Sequence, residues 1–312
     1  MSLIPRDDWM RIAVVAELFA VFFWALGNIF VAYLNMFFDN YTQNFFRFVS
    51  AGVALLFLSF FFKKDDYLNS LRRLKALSIP IVTVFAFQIF MVYGIAFTTP
   101  TIATLVTRLS IIFVDVLSFF LFPEEKAALS KKGFTAGTIL SFIGVSGVVL
   151  TGSDFSQLGG MFLAGVFFLL AASILWAVYT VSIKIFLRNS DLLSATANIF
   201  LLSGVMYLPF SVFTGGIYGV LKVEPVVILL LIVSGILAIG LANFLNYYAI
   251  QRLGASLPAN LQIILPVFTG VMSVIVFHEE MQPHKIFFSI LTLIGSWITV
   301  KTSEKAVKRP VA

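Results

Sequence analysis

The chain has 312 residues, 60% hydrophobic and 12% charged, with a formal net charge of +6, no cysteine and a mean hydropathy of +1.01. A soluble domain is about one quarter charged, so this composition excludes a soluble fold and predicts an all-α integral membrane protein. Without cysteine there is no disulfide, thiolate metal site or cysteine nucleophile. The basic residues fall in short loops between apolar runs, which leaves nucleic-acid binding unsupported.

A helix needs about 20 apolar residues to cross a hydrocarbon core of ~30 Å. Runs of that length predict ten transmembrane helices, at 12–34, 42–62, 75–96, 100–122, 130–151, 160–186, 192–214, 225–250, 255–277 and 284–302. The first run lacks a small-residue cleavage signature and is read as a retained span. Turn and cap residues separate the spans: Asp39-Asn40, Lys63 to Asp66, Thr98-Thr99-Pro100, Pro123 to Lys126, Gly152-Ser153-Asp154, Arg188 to Asp191, Gly215-Gly216, Leu253-Gly254 and His278 to His284. If the N-terminus is cytoplasmic, all of the 21 basic residues except Arg47, Lys222, Lys285 and the intramembrane Arg108 lie on the cytoplasmic side. This predicts a multi-pass protein of the inner (cytoplasmic) membrane with both termini cytoplasmic. Residues 1–11 and 303–312 are then cytoplasmic tails and 152–159 an external linker.

The stretch from Tyr93 to Glu125 recurs without a gap from Tyr248 to Glu280. An offset of 155 carries Tyr93, Ile95, Phe113, Val116, Ser118, Phe122 and Glu124-Glu125 onto identical residues. Trp24-Ala25 in the first helix is echoed by Trp176-Ala177 in the sixth, and Gln88 in the third by Asn243 in the eighth. An internal duplication follows, with one repeat over 12–151 and a second over 160–302. Five helices per repeat is an odd number, so the repeats are inverted. That arrangement suits alternating access and points to a transporter.

Ten spans in two repeats, the Trp-Ala pairs, Phe46-Arg47-Phe48, the Tyr-rich ends of the third and eighth helices, Pro266 in the ninth, and Glu124 and Glu279 closing the fourth and ninth together resemble the EamA-type branch of the drug/metabolite transporter superfamily. The resemblance covers residues 12–302. It implies a cavity between two bundles and movement of small metabolites, often export of amino acids or related compounds. One departure stands out: the first repeat has Ile111 where the second has Pro266, so a helix break is expected only in the ninth helix.

An ionisable side chain in a span costs roughly 2.5–3.5 kcal/mol on insertion scales and faces a cavity or a partner. Glu17, Arg108 and Asp115 are such residues. Arg108 lies about 12 Å and Asp115 about 22 Å from the outer end of the fourth helix, and Glu17 about 8 Å from the inner end of the first. Arg108 is therefore read as a substrate or gate contact. Glu17 and Asp115 are read as proton-coupling groups, with Glu17 paired to Arg108 or sharing a proton with Asp115. The structural alternative is a static ion pair between the first and fourth helices, or Glu17 reaching to the interface.

Asn28, Gln88, Thr104, Thr107, Asn243, Asn246, Asn260 and Gln262, with Trp24, Trp176, Tyr179, Tyr93, Tyr247 and Tyr248, form the candidate polar and aromatic lining. Amides donate and accept, and aromatic faces hold rings or ammonium groups. The same residues also hold bundles together or anchor at interfaces. His278-Glu279-Glu280 lacks the second histidine of a zinc-protease helix, so no metal is expected. Gly133, Gly137 and Ser141 read as close helix packing before a dimer face.

The reading is a transporter and not an enzyme, without cofactor, acting as monomer or homodimer, with a small-molecule substrate, protons and membrane lipids as partners. Arg108 favours a carboxylate and hence amino acids. Glu17 and Asp115 with aromatic walls favour cationic amines, polyamines or drugs instead. Nucleotide sugars rank third, since Arg108 is the one basic charge assigned to the cavity. An intramembrane enzyme, a channel and a structural membrane protein are the readings of other classes.

Overall fold

Long apolar runs leave the backbone no partner but itself, so helix forms wherever hydropathy persists. The computed structural model describes residues 6–62, 75, 77–98, 100–150, 161–187, 191–277 and 282–308. The Lys63 to Asp66 separator, Arg72, Arg73, the 152–159 linker, residues 188–190 and His278 to Glu280 lie outside the described residues.

Ten helices are long and apolar enough to cross a membrane: α1 Trp9–Leu34, α2 Asn40–Phe61, α3 Ser78–Phe97, α4 Ala103–Leu121, α5 Lys132–Leu150, α6 Phe162–Leu187, α7 Leu192–Phe213, α8 Pro225–Leu253, α9 Ser256–Val276 and α10 Pro283–Ala306. No strand occurs among the described residues. The separators act as expected of caps. Asp39 accepts from the backbone N–H groups of Tyr41 and Thr42 at 2.9 and 3.0 Å, and Asp191 from that of Ser194 at 2.9 Å. The helix of α10 continues to Lys308, into the stretch read as a tail.

The bundle has a terminal end, where α1 starts and α10 finishes, and an opposite far end. Helices pack in pairs across the two halves: α3 with α6 and α8 with α1, α2 with α7, α5 with α10. Exchanging each helix for the one five places on interchanges the first two pairs and returns the last two to themselves. α4 also meets α6 as α9 meets α1. Two equivalent halves are thus joined by a pseudo-two-fold set of contacts.

Small residues set the closeness of these pairs. A Cβ placed on Gly144 would lie 2.5 Å from the backbone nitrogen of Thr292 and 2.8 Å from the carbonyl oxygen of Phe288, and one on Gly137 would lie 2.7 Å from the carbonyl oxygen of Gly295. The GxxxG stretch therefore serves α5–α10 packing within the chain. Backbone atoms cannot yield as side-chain ends do, so Gly144→Ala should cost about 1–3 kcal/mol. A thermal-unfolding midpoint in detergent equal to that of the parent protein would show that the helices separate without penalty.

Three spans depart from regular helix near mid-depth, and α7 is parted at Met206-Tyr207, between Leu192–Val205 and Leu208–Phe213, nearer its far end. α4 is two pieces, Pro100–Thr107 and Ser110–Leu121. α9 passes through a 3₁₀ turn at Gln262–Ile264. α8 carries a π-helical segment at Ile236–Leu241. The offset of 155 maps the α4 break onto the α9 turn, so both repeats break, which corrects the expectation of a break in the ninth helix alone. Proline is not needed in α4. Thr107 Oγ1 bonds back to the carbonyl of Ala103 at 2.7 Å, and backbone bonds from Arg108 to Leu105 and Leu109 to Val106 tighten the turn.

Candidate functional site

Where two broken helices face each other, backbone polar groups are tolerated only beside a cavity or a partner. A cavity of about 540 Å³ lies there, within the range of small-ligand pockets. Its lining includes Trp24 and Asn28 on α1, Gln88 on α3, Thr104, Thr107 and Arg108 on α4, Trp176 on α6, Asn243 on α8 and Gln262 on α9. The repeat-related tryptophans meet edge to face, with ring centroids 6.1 Å apart. The lining reaches the far end at Asn40, Gln43 and Val149, and toward the terminal end it goes no deeper than Gln262 and Asn243. Toward the terminal end the helices close on an apolar cluster that includes Val114, Phe122, Val181 and Ala259.

That closed end has a polar lock. Glu125 accepts from the backbone N–H groups of Ala255 at 3.0 Å and Ser256 at 2.8 Å, at the start of α9, and from Lys184 Nζ on α6 at 2.5 Å. Lys184 also reaches Glu124 at 2.9 Å and lies 3.6 Å from the centre of the Phe122 ring. Gly254 permits this fit twice over, with φ +89° and no Cβ to strike the Glu125 carboxylate. The doublet that marks the end of the duplicated stretch is thus a tie between α4, α6 and α9.

Gln262 joins the cavity to Glu17. Its side-chain oxygen accepts from Trp176 Nε1 at 3.2 Å, its amide donates to Glu17 at 3.3 Å, and its backbone carbonyl accepts from Arg108 at 3.1 Å. Glu17 has 0% exposure and accepts from Asn246 at 2.8 and 3.0 Å. The structure therefore joins Glu17 to neither Arg108 nor Asp115: two amides occupy its oxygens, and it sits one residue behind the cavity wall.

Asp115 is on the other side of α4. It accepts from Ser256 Oγ and from Asn260 Nδ2, the latter at 2.9 and 3.1 Å, and Asn260 in turn accepts from Thr138 at 2.8 Å. It lines a second, largely apolar groove of about 770 Å³ between α4 and α5. The break at Arg108-Leu109 is the physical reason that residues seven apart do not share a face here.

Six further candidates lie off the cavity. Tyr179 and Tyr247 are buried with their hydroxyls bonded to one another. Tyr93 is 42% exposed and packs on Phe97 and Phe168. Tyr248 lies beneath Arg252 at the terminal end. Asn246 and Asn260 serve the two carboxylates.

Arg47 is the residue that the loop count misplaced. It stands about two turns inside α2, 8% exposed, and lines the cavity together with Asn40, Gln43 and Asn44. Positions 40, 43, 44 and 47 share one helix face, a polar stripe visible in the sequence. No group of His, Cys, Asp and Glu among the described residues could hold a metal ion.

Relatives match over most of this chain. An uncharacterized transporter of Haemophilus influenzae is 20% identical over 298 residues, 93% of this chain and 98% of its own length. The uncharacterized transporter YetK of Bacillus subtilis is 27% identical over 274 residues, covering 85% of this chain and 80% of its own. A crystal structure, titled only as that of a protein, superposes with a TM-score of 0.73 over 94% of this chain and 98% of its own, at 16% identity, which speaks to the fold alone. The EamA-like transporter family matches twice, over residues 11–150 and 163–301. Those two matches coincide with the halves that the helix pairings interchange, and the chain belongs to the EamA-like transporter family.

Proposed function

We propose that this chain is a secondary transporter that exports small metabolites, amino acids or related compounds, across the inner (cytoplasmic) membrane by alternating access, coupled to a proton through Glu17. One observation carries the reading: a mid-depth cavity extends toward one end of the bundle only, while the other end is shut by the Glu125–Lys184 tie. Two interchangeable halves, 12–151 and 160–302, support it, because near-equal halves give two end states of similar energy. The basic residues put the termini in the cytoplasm, so this conformation faces outward. Moving Arg47 into the span strengthens that orientation. The cavity lies within one chain, so a monomer suffices.

Cationic amines or drugs are the less favoured cargo, because that reading wanted Glu17 and Asp115 on the cavity wall and neither lines it.

Purified protein in liposomes containing a pH-sensitive dye tests the proposal. Addition of cargo should move both labelled solute and protons, above the level of protein-free liposomes. If no amino acid, organic acid or amine equilibrates faster than in empty liposomes under either a pH gradient or a potential, the transport reading is lost.

A further inference from the structure

Arg47 and Arg108 bring two guanidinium groups to one cavity whose lining contains no Asp or Glu. Arginine stays protonated in proteins, so the cavity wall carries two positive charges in the membrane interior. Arg47 Nε and Arg108 Nε are buried without a hydrogen-bond partner, and Arg108 gives a single bond, to the Gln262 carbonyl. The ion pairs formed among the described residues lie elsewhere, at Lys184 and Lys301. The place for the Arg47 head group is shaped by its neighbours: a Cβ on Gly27 would come within 3.5 Å of its Nη2 and 2.6 Å of Ala238 Cβ.

The charge is one-sided. The second repeat has Ile199 and Ile263 where the first has Arg47 and Arg108, the former at the offset of 152 that also interchanges the Thr42–Ser211 and Ser59–Ser194 contacts of α2 and α7. It contributes amide and indole groups instead, Asn243, Gln262 and Trp176.

We propose that, of the amino acids and related compounds named above, the cargo is the related compound and not the amino acid: an organic acid with net negative charge and no ammonium group. Its acidic group is held by Arg47 and Arg108, and its apolar body rests against Trp24, Phe87 and Trp176. Guanidinium forks match planar oxyanions, and such charge-assisted bonds are the strong ones. A zwitterion would add an ammonium that finds no carboxylate on the wall. Glu17 stands behind Gln262 with its oxygens taken by Asn246 and Gln262. The inference rests on the transport reading for the word cargo, but the site it describes can be measured without transport.

Matched compounds that differ only in charge provide the test: 3-phenylpropionate, phenylalanine and phenethylamine on an aromatic body, and 4-methylpentanoate, leucine and 3-methylbutylamine on an aliphatic one. Binding to the purified full chain in detergent is read from tryptophan emission and from thermal stabilisation, and uptake from liposomes. In at least one series the acid should bind at least about tenfold tighter than the zwitterion, with the amine weaker still. Arg47→Gln and Arg108→Gln should each remove most of that preference. Arg47→Lys and Arg108→Lys, which keep the charge, should restore part of it and guard against misreading a folding defect. Salt should weaken binding of the acid.

Equal or tighter binding of the zwitterion or the amine in both series, absence of binding by either acid, or an acid affinity unchanged by both glutamine variants would overturn the proposal. Uptake of zwitterions without preference for acids sinks this inference and leaves transport standing. Tight binding of acids without movement of any solute does the reverse.

Discussion

Glu125→Ala opens the terminal end. The chain has no cysteine, so Ala259→Cys places a single thiol at a site 1% exposed, inside the apolar cluster that closes this end. In the otherwise unaltered protein that thiol should react slowly with a water-soluble maleimide. Removing the Glu125 carboxylate strands two backbone N–H groups at the start of α9 and leaves Lys184 only the more exposed Glu124 as a partner. Breaking one side of a buried ion pair costs about 3–5 kcal/mol. A two-state protein shifts from 1:99 to 99:1 for roughly 5.5 kcal/mol, so labelling should accelerate by about tenfold or more. Glu125→Gln keeps an acceptor oxygen and should fall between. Equal labelling rates in all three proteins would mean that apolar packing alone closes this end and that the tie is ornamental.

The pH dependence of cargo binding disappears in Glu17→Gln. A proton on Glu17 and an anion in the cavity attract, so the wild-type protein should bind an acid more tightly as pH falls. A cationic cargo would show the opposite sign. At an effective dielectric near 20, charges about 10 Å apart exchange roughly 1.7 kcal/mol, somewhat more than tenfold in affinity. Glu17→Gln is fixed in the neutral form. It should bind the acid at all pH values about as the acidified wild type does and move no protons with it. Asp115→Asn should leave this pH dependence intact, because Asp115 faces the α4–α5 groove. Should the dependence persist in Glu17→Gln and vanish in Asp115→Asn, the coupling group would have been misassigned.

The architecture was legible because its determinants are one-dimensional. Span length follows from hydropathy, the repeat from a constant offset, and helix ends from residues such as Asp39 and Asp191. The site was legible in part, for a reason that Arg47 makes plain. Counting charges by side treats any basic residue near a helix end as loop, whereas the stripe Asn40, Gln43, Asn44 and Arg47 has helical spacing and belongs to a wall. The break in α4 carries no proline to announce it, since it depends on Thr107 and on the facing turn of α9. That break turns Asp115 away from Arg108, so a sevenfold spacing suggested a shared face that does not exist. The tyrosines illustrate the opposite case: composition alone cannot tell a buried Tyr179–Tyr247 pair from a lining residue, because either environment accepts a ring with one polar tip.

The two cavity arginines also decide which half of the working cycle an electric field can push. In the orientation proposed above, an interior-negative potential does roughly 2.3 kcal/mol of work per elementary charge per 100 mV traversed. An empty carrier bearing two guanidinium charges feels that pull toward the inward-facing arrangement. Once an acid neutralises one of them, the loaded carrier feels about half as much. Voltage then speeds the return of the vacant protein and slows, about half as strongly, the outward passage of the loaded one, and the current recorded from a membrane full of these molecules would be dominated by resetting.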